Sequence, residues 1–280
     1  MRILQGKIDI GLGDMIFICN MLNQKKNEYD KILLAPMFSN KWKSTRVGDF
    51  YKHADMIERI LRLLFSGSPY ELIDYETNRG LDHITTVGLW KEGYKFTIPD
   101  FRECFCKPEH DVTDFNPEDY FVVTTRARSI MKNYTKAKPY FYPALRNKKI
   151  IILGDRKWWP DNPFRSPKGL CIYRDLMTNL KLNHIPYKDC TIDFDKPDIA
   201  LFHRDANIMK RAKAVIAFGN GGNWAFALAT ARRVYSLLED TRDKNDHSLL
   251  EEKVFGDKFD NGRVMATRDA QIFSKKLNSM

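Results

Sequence analysis

Apolar and polar positions along this chain fall into strand-like and helix-like stretches, several of them separated by glycine or proline. The chain opens with apolar residues at Ile3, Leu4, Ile8 and Ile10. It breaks at Gly11-Leu12-Gly13-Asp14 and resumes as a largely apolar run from Met15 to Leu22. That order predicts strand, tight turn, helix. Glycines there would permit a positive φ and the close approach of a ligand. Tyr29 to Pro36 reads as a second, buried strand, and a βαβ start implies a parallel sheet. Asp49 to Phe65 places Phe50, Ala54, Ile57, Ile60, Leu61 and Leu64 at helical spacing, and Gly67-Ser68-Pro69 ends it. Tyr70 to Tyr75 fits one more short strand. Between Arg79 and Asp111 aromatics and short apolar bursts alternate in no order that periodicity can sort.

Lys107 to Glu118 (KPEHDVTDFNPE) is polar and carries two prolines, which marks a linker. It divides the chain into residues 1–115 and 116–280. The second part repeats the strand-and-helix alternation. Strands are predicted at Tyr120–Thr125, Lys148–Gly154, Ala214–Phe218 and Val234–Leu238, and helices at Asp198–Lys213, Trp224–Arg232 and Arg268–Leu277. The last helix has room to pack back on the first part. Gly219-Asn220-Gly221-Gly222-Asn223 forms a second glycine-rich strand-to-helix turn. Ligands of such sheets bind at the carboxyl ends of the strands, and two facing halves make a cleft.

Composition narrows the chemistry. Hydrophobic residues make up 43% of the 280, enough for a substantial core. No apolar run reaches bilayer length, and the N-terminus has no signal-peptide core. The five cysteines are scattered, and no Cys/His cluster makes a zinc site. Free thiols in a reducing, cytoplasmic setting are expected. The net charge of +10 favours an anionic ligand, but the basic residues form no polybasic block, so nucleic acid is not the expected partner.

Several residues at the predicted strand ends have useful chemistry. A helix starting near Asp14 would aim free N–H groups over the first turn. Asp14 there either caps the helix or takes a proton from a bound hydroxyl, and its position allows both. Backbone N–H groups and side-chain amides at Asn220, Gly221, Gly222 and Asn223 could converge on a phosphate, unless the glycines serve only tight packing. Thr124, Thr125, Arg126 and Arg128 end a strand on the same edge and could hold a diphosphate by charged hydrogen bonds. Asp155 follows the Lys148–Gly154 strand and could bind a ribose, cap a helix or form a salt bridge. The six histidines show no metal-binding spacing, and no P-loop or G-x-S-x-G is present. No metal or cofactor is expected.

These residues, in this order, resemble the GT-B glycosyltransferases and most nearly the heptosyltransferase family. MRILQGKIDIGLGDMI is similar to that family's opening strand, small-residue/Gly-Asp turn and apolar helix. The resemblance implies two Rossmann-like domains facing across a cleft. The first would bind acceptor, with Gly11 and Gly13 in its loop and Asp14 as catalytic base. The second would bind the nucleotide-sugar through Thr124, Thr125 and Arg128 and through the loop at Gly219–Trp224. ALATARRVYSLL is similar to the family's small-residue helix and following strand. Gly219 stands where the family has aspartate, and Trp224 where it has histidine, so a heptose donor does not carry over. More faintly, the pared-down chain resembles small glycosyltransferases of large algal viruses, which implies a UDP-sugar such as UDP-xylose and a location in host cytoplasm.

The expected activity is inverting, metal-independent transfer from a nucleotide-sugar donor to a glycan hydroxyl. Peripheral membrane contact is compatible with it. The rivals are a nucleotide-sugar epimerase of the same architecture and a non-catalytic basic module for nucleic acid or glycans. If Asp14 only caps, His53 and His83 are the next candidates for the base.

Overall fold

The structure is a computed structural model and describes residues 1–37, 54–111, 116–125, 131–154, 172–192, 198–218, 222–238, 255–256 and 258–280. The first unit runs β1 (Ile3–Ile8), α1 (Leu12–Leu22), β2 (Lys31–Pro36), α2 (Ala54–Leu64) and β3 (Tyr70–Leu72). The crossover carries α3 (Thr86–Lys91), α4 (Arg102–Phe105) and a 3-10 turn at Pro108–His110. The second unit begins with β4 (Phe121–Thr124), α5 (Met131–Leu145), β5 (Ile150–Leu153), α6 (Tyr173–Leu182) and β6 (Tyr187–Asp189). It continues with α7 (Ile199–Arg211), β7 (Ala214–Phe218), α8 (Gly222–Thr230) and β8 (Val234–Leu237), and ends with β9 (Lys258–Asp260), β10 (Val264–Thr267) and α9 (Ala270–Asn278).

The first sheet is parallel in the order β1-β2-β3. Asp82 to Ile84 adds a strand-like segment along the other edge of β1. Lys7 N–H donates to Asp82 O at 2.8 Å, Ile84 N–H donates to Lys7 O at 2.8 Å, and Lys7 and His83 pair in parallel. The spatial order is thus β3, β2, β1, then residues 82–84.

The second sheet has the order β6-β5-β4-β7-β8-β10-β9, parallel throughout except for the last pair. Side chains alternate cleanly between its faces. Phe121, Val123, Ile150, Ile152, Ile216 and Phe218 face α5, α6 and α9. Val122, Ile151, Leu153, Val215 and Ala217 face α7, α8 and the first unit. Crossovers therefore cover both faces, and the chain reverses its winding between β4 and β7. The architecture is α/β with two Rossmann-like units.

Three sequence expectations change. The first turn is already helix: α1 starts at Leu12, capped by Gly11 at φ −64° and ψ 132°. Neither Gly11 nor Gly13 takes a positive φ. α9 packs on α5 and the second sheet rather than returning to the first unit, with Phe273 and Leu277 buried there. α5, α6, β6, β9 and β10 have no counterpart among the predicted elements. α5 contains Pro139 and Pro143, which read as helix breakers. Both lie on the exposed face of the helix, while Tyr134, Ala137, Phe141 and Leu145 bury the opposite face. The proposed domain boundary falls beside residues 112–115, which lie outside the described residues.

The two units share one core. Phe17 of α1 packs on Trp224 of α8 with ring centroids 5.7 Å apart, and Trp224 on Phe255 at 5.6 Å. Arg263 reinforces this arrangement from the end of α8. Its Nη2 donates to Leu228 O at 2.7 Å and to Pro99 O at 3.3 Å, joining the last turn of α8 to the crossover. Burial holds its guanidinium below the usual arginine range.

Candidate functional site

The winding reverses between β4 and β7, and in open α/β sheets ligands bind outside the carboxyl ends of the strands at such a reversal. β4 ends there in Thr124 and runs on into Thr125, and both hydroxyl residues are buried. Thr125 N–H donates to Leu153 O at 2.9 Å, and Thr125 O accepts from Ile172 N–H at 3.0 Å. The loop after β4 is thereby tied to the ends of β5 and α6. β5 runs into Gly154, whose φ of +108° is closed to most other residues.

Gly154 explains how three elements meet. The point where its Cβ would stand is 2.5 Å from Thr125 Oγ1 and 2.9 Å from Asn223 Nδ2. A hydroxyl from β4, a bare backbone from β5 and an amide from the first turn of α8 thus converge. Asn223 Nδ2 is buried without a hydrogen-bond partner, and so is Thr124 Oγ1. A buried polar atom left unbonded costs roughly 1–3 kcal/mol, a cost that a bound ligand can relieve. α8 begins one residue before Asn223, so its free N–H groups open on the same place.

The first unit supplies the facing side. Leu12, first residue of α1, lies against Gly222, first residue of α8. A Cβ on Gly222 would be 3.3 Å from Leu12 Cβ. The amino ends of two helices therefore lie together, and both macrodipoles are positive there. Asp14 is the third helical residue of α1, not its cap. Its carboxylate folds back over Gly11, with Oδ2 2.6 Å from where a Gly11 Cβ would be. A side chain at Gly11 would displace the Asp14 carboxylate from this position.

Thr124, Thr125, Gly222 and Asn223 thus gather at one sheet edge, and Gly11, Gly13 and Asp14 lie on the turn that abuts it. Arg126, Arg128, Asp155, Asn220 and Gly221 lie outside the described residues. Trp224 points elsewhere: its indole fills the interface between α1 and α8, with Nε1 buried and unbonded.

Sequence reasoning missed Asp9. It follows β1 between the buried Ile8 and Ile10, and its Oδ2 lies 3.3 Å from His83 Nε2. His83 belongs to the strand-like segment beside β1. The pair therefore occupies the place in the first sheet that corresponds to the β4–β7 reversal in the second. The only sequence signal was the alternation Ile8-Asp9-Ile10, which turns Asp9 away from the core. His53 lies outside the described residues. Among the described residues no group of three or more His, Cys, Asp or Glu is placed to hold a metal ion, and no helix is long and apolar enough to cross a membrane.

No known protein family and no curated protein matches this sequence. Among solved structures, the chain is similar to E. coli heptosyltransferase WaaC with ADP-2-deoxy-2-fluoro heptose. That match has 13% identity and a TM-score of 0.48, over 100% of this chain and 99% of the other. It is also similar to E. coli heptosyltransferase WaaC with ADP, at 14% identity and a TM-score of 0.41, over 86% and 88% of the two chains.

Proposed function

We propose that this protein is a glycosyltransferase that moves a sugar from a nucleotide-sugar to the hydroxyl of a glycan acceptor. The observation that carries the reading is the convergence of Thr125 Oγ1 and the unbonded Asn223 Nδ2 over Gly154, beside the amino ends of α1 and α8. Buried donors and two positive helix ends suit a diphosphate. The ligand's negative charge also suits a chain of net charge +10.

In this reading the second unit holds the donor. Asn223 and the N–H groups of α8 bind the diphosphate, with Arg126 or Arg128 neutralising it as the sugar departs. Asp14 deprotonates the acceptor hydroxyl, which attacks the anomeric carbon from the face opposite the nucleotide and inverts it. The proton passes to the Asp14 carboxylate, and the bonding electrons of the old glycosidic link leave with the diphosphate. No metal takes part in this scheme. The donor is a UDP-sugar, with UDP-xylose the first to try.

A thermal-shift screen with UDP, GDP, ADP and CMP tests the reading, because a nucleotide that binds the native state raises its melting temperature. UDP is expected to stabilise the wild type. Asn223→Asp is expected to abolish that gain by placing a carboxylate against the diphosphate. No stabilisation by any of the four, or equal stabilisation of the variant, overturns the assignment.

A further inference from the structure

α7 carries a stripe of polar residues spaced by four, His203, Asn207 and Arg211, which lie on one face of a helix. Each grips the crossover. His203 Nδ1 donates to Phe105 O at 2.8 Å, Asn207 Nδ2 donates to Lys107 O at 2.7 Å, and Arg211 Nη1 lies 2.8 Å from both carboxylate oxygens of Asp111. Two further bonds continue the track toward β4. Glu118 N–H donates to Arg211 O at 2.8 Å, and the Tyr120 hydroxyl donates to Ile208 O at 2.8 Å. α7 thus holds the chain on both sides of residues 112–115.

One contact in this track differs in kind. The rings of His110 and His203 stack with centroids 5.4 Å apart and planes within 8°. His203 is only 7% exposed. Two neutral imidazoles stack without penalty. A second proton on His203 puts positive charge against the partner ring and in a buried place.

We propose that the crossover is held by a pH-sensitive latch on α7, in which protonation of His203, stacked on His110, releases Phe105–Asp111 from the helix. The surrounding charges favour this direction. From the crossover, Lys107 adds positive charge near His203, and Glu109 opposes it. Arg102 of α4 is paired with Asp100. On α7 itself Arg204 is paired with Asp205, and Arg211 with Asp111. On α2, Glu58 and Arg62 bond each other in solvent. No carboxylate in these pairs bonds the imidazoles. Burial is the largest influence and holds His203 below the ordinary histidine range; His110 and Lys107 act the same way, while the hydrogen bond to Phe105 O, which a charged ring donates more strongly, and Glu109 oppose it without reversing it.

The sign follows from linkage. The released form binds protons more readily than the held form, so the latch is fully closed above the ordinary histidine pKa and loosens as pH falls below it. Asn207 and Arg211 remain as neutral and permanently charged grips, so the release is graded. β4 starts one residue after Tyr120, so the latch lies directly upstream of the Thr124–Thr125 end.

Hydrogen exchange of the full-length protein at pH 7.5 and 5.5, corrected for intrinsic rates, tests the latch. The His110 and Asp111 amides, which bond Lys107 O and Pro108 O, report on it. Their opening is expected to rise by up to about tenfold at pH 5.5, the limit set by an ordinary imidazole pKa near 6.5. His203→Gln keeps a donor for Phe105 O but cannot be charged, and it should remove the pH dependence. Equal protection of the wild type at both pH values overturns the proposal, as does undiminished acid loosening in His203→Gln. NMR titration of the wild type is independent of any variant: a His203 midpoint at or above the free-histidine value also overturns it.

Discussion

Leu12 and Gly222 begin two different helices and meet at their first residues, where a Cβ on Gly222 would stand 3.3 Å from Leu12 Cβ. The contact lies where α1 of the first unit and α8 of the second pack together. Gly222→Val would force branched carbon into that space, and overpacking of this kind costs roughly 1–3 kcal/mol. Leu12→Ala should relieve part of the cost. In urea melts the double variant is expected to be more stable than the sum of the single effects predicts. Additivity within about 0.5 kcal/mol would mean that the helices do not bear on each other here.

Gly154 lies under a different constraint. Its φ is +108°, and an added Cβ would stand 2.5 Å from Thr125 Oγ1 and 2.9 Å from Asn223 Nδ2. Gly154→Ala therefore combines backbone strain of roughly 1–3 kcal/mol with displacement of both polar groups. A melting temperature lowered by several degrees and a weakened UDP affinity are expected together. Normal stability with normal nucleotide binding would show that the convergence over Gly154 plays no part in the site.

The order strand, then apolar helix, on either side of each glycine-rich stretch was the most legible part of the sequence, because the two periods follow one another within a few residues. The reason for each glycine was not legible. Gly11 has ordinary dihedrals and leaves room for the Asp14 carboxylate folded over it, while Gly154, at a strand end with no turn signal, has the left-handed backbone. Tertiary contacts of this kind leave no local pattern. The same holds for α5, where prolines contradict helix until their solvent exposure is known. The segment from Arg79 to Asp111 could not be ordered because its residues pair with distant partners: His83 with β1, and Lys107 and Asp111 with α7. Trp224 looked like part of a ligand loop and instead fills the core between the units.

The β4 end continues into Arg126 and Arg128, and the Thr124–Thr125 end beside Asn223 motivates their assignment. Arg128→Ala is expected to weaken nucleoside-diphosphate binding by ~1.5–3 kcal/mol, the range for a charged hydrogen bond. Arg126→Ala is the fallback. Calorimetric titration with UDP decides it, and unchanged affinity in both single variants would remove these arginines from the donor site.

In the proposed mechanism Asp14 is the base. It stands on the first turn of α1, behind the Leu12 contact to α8, and it is not the residue that caps the helix. Asp14→Asn keeps the shape of the side chain and removes its ability to take a proton. The expected outcome is a near-wild-type melting temperature and nucleotide affinity, with transfer slowed by ~10²–10⁴-fold, the usual worth of a positioned general base. A structural role predicts the reverse: a rate little changed in the asparagine variant, and stability lost in Asp14→Ala. Transfer at close to the wild-type rate in Asp14→Asn would move the search to the His83–Asp9 pair, which lies at the carboxyl edge of the same sheet with 3.3 Å between its nitrogen and oxygen. His83→Gln would then be the variant whose rate must fall.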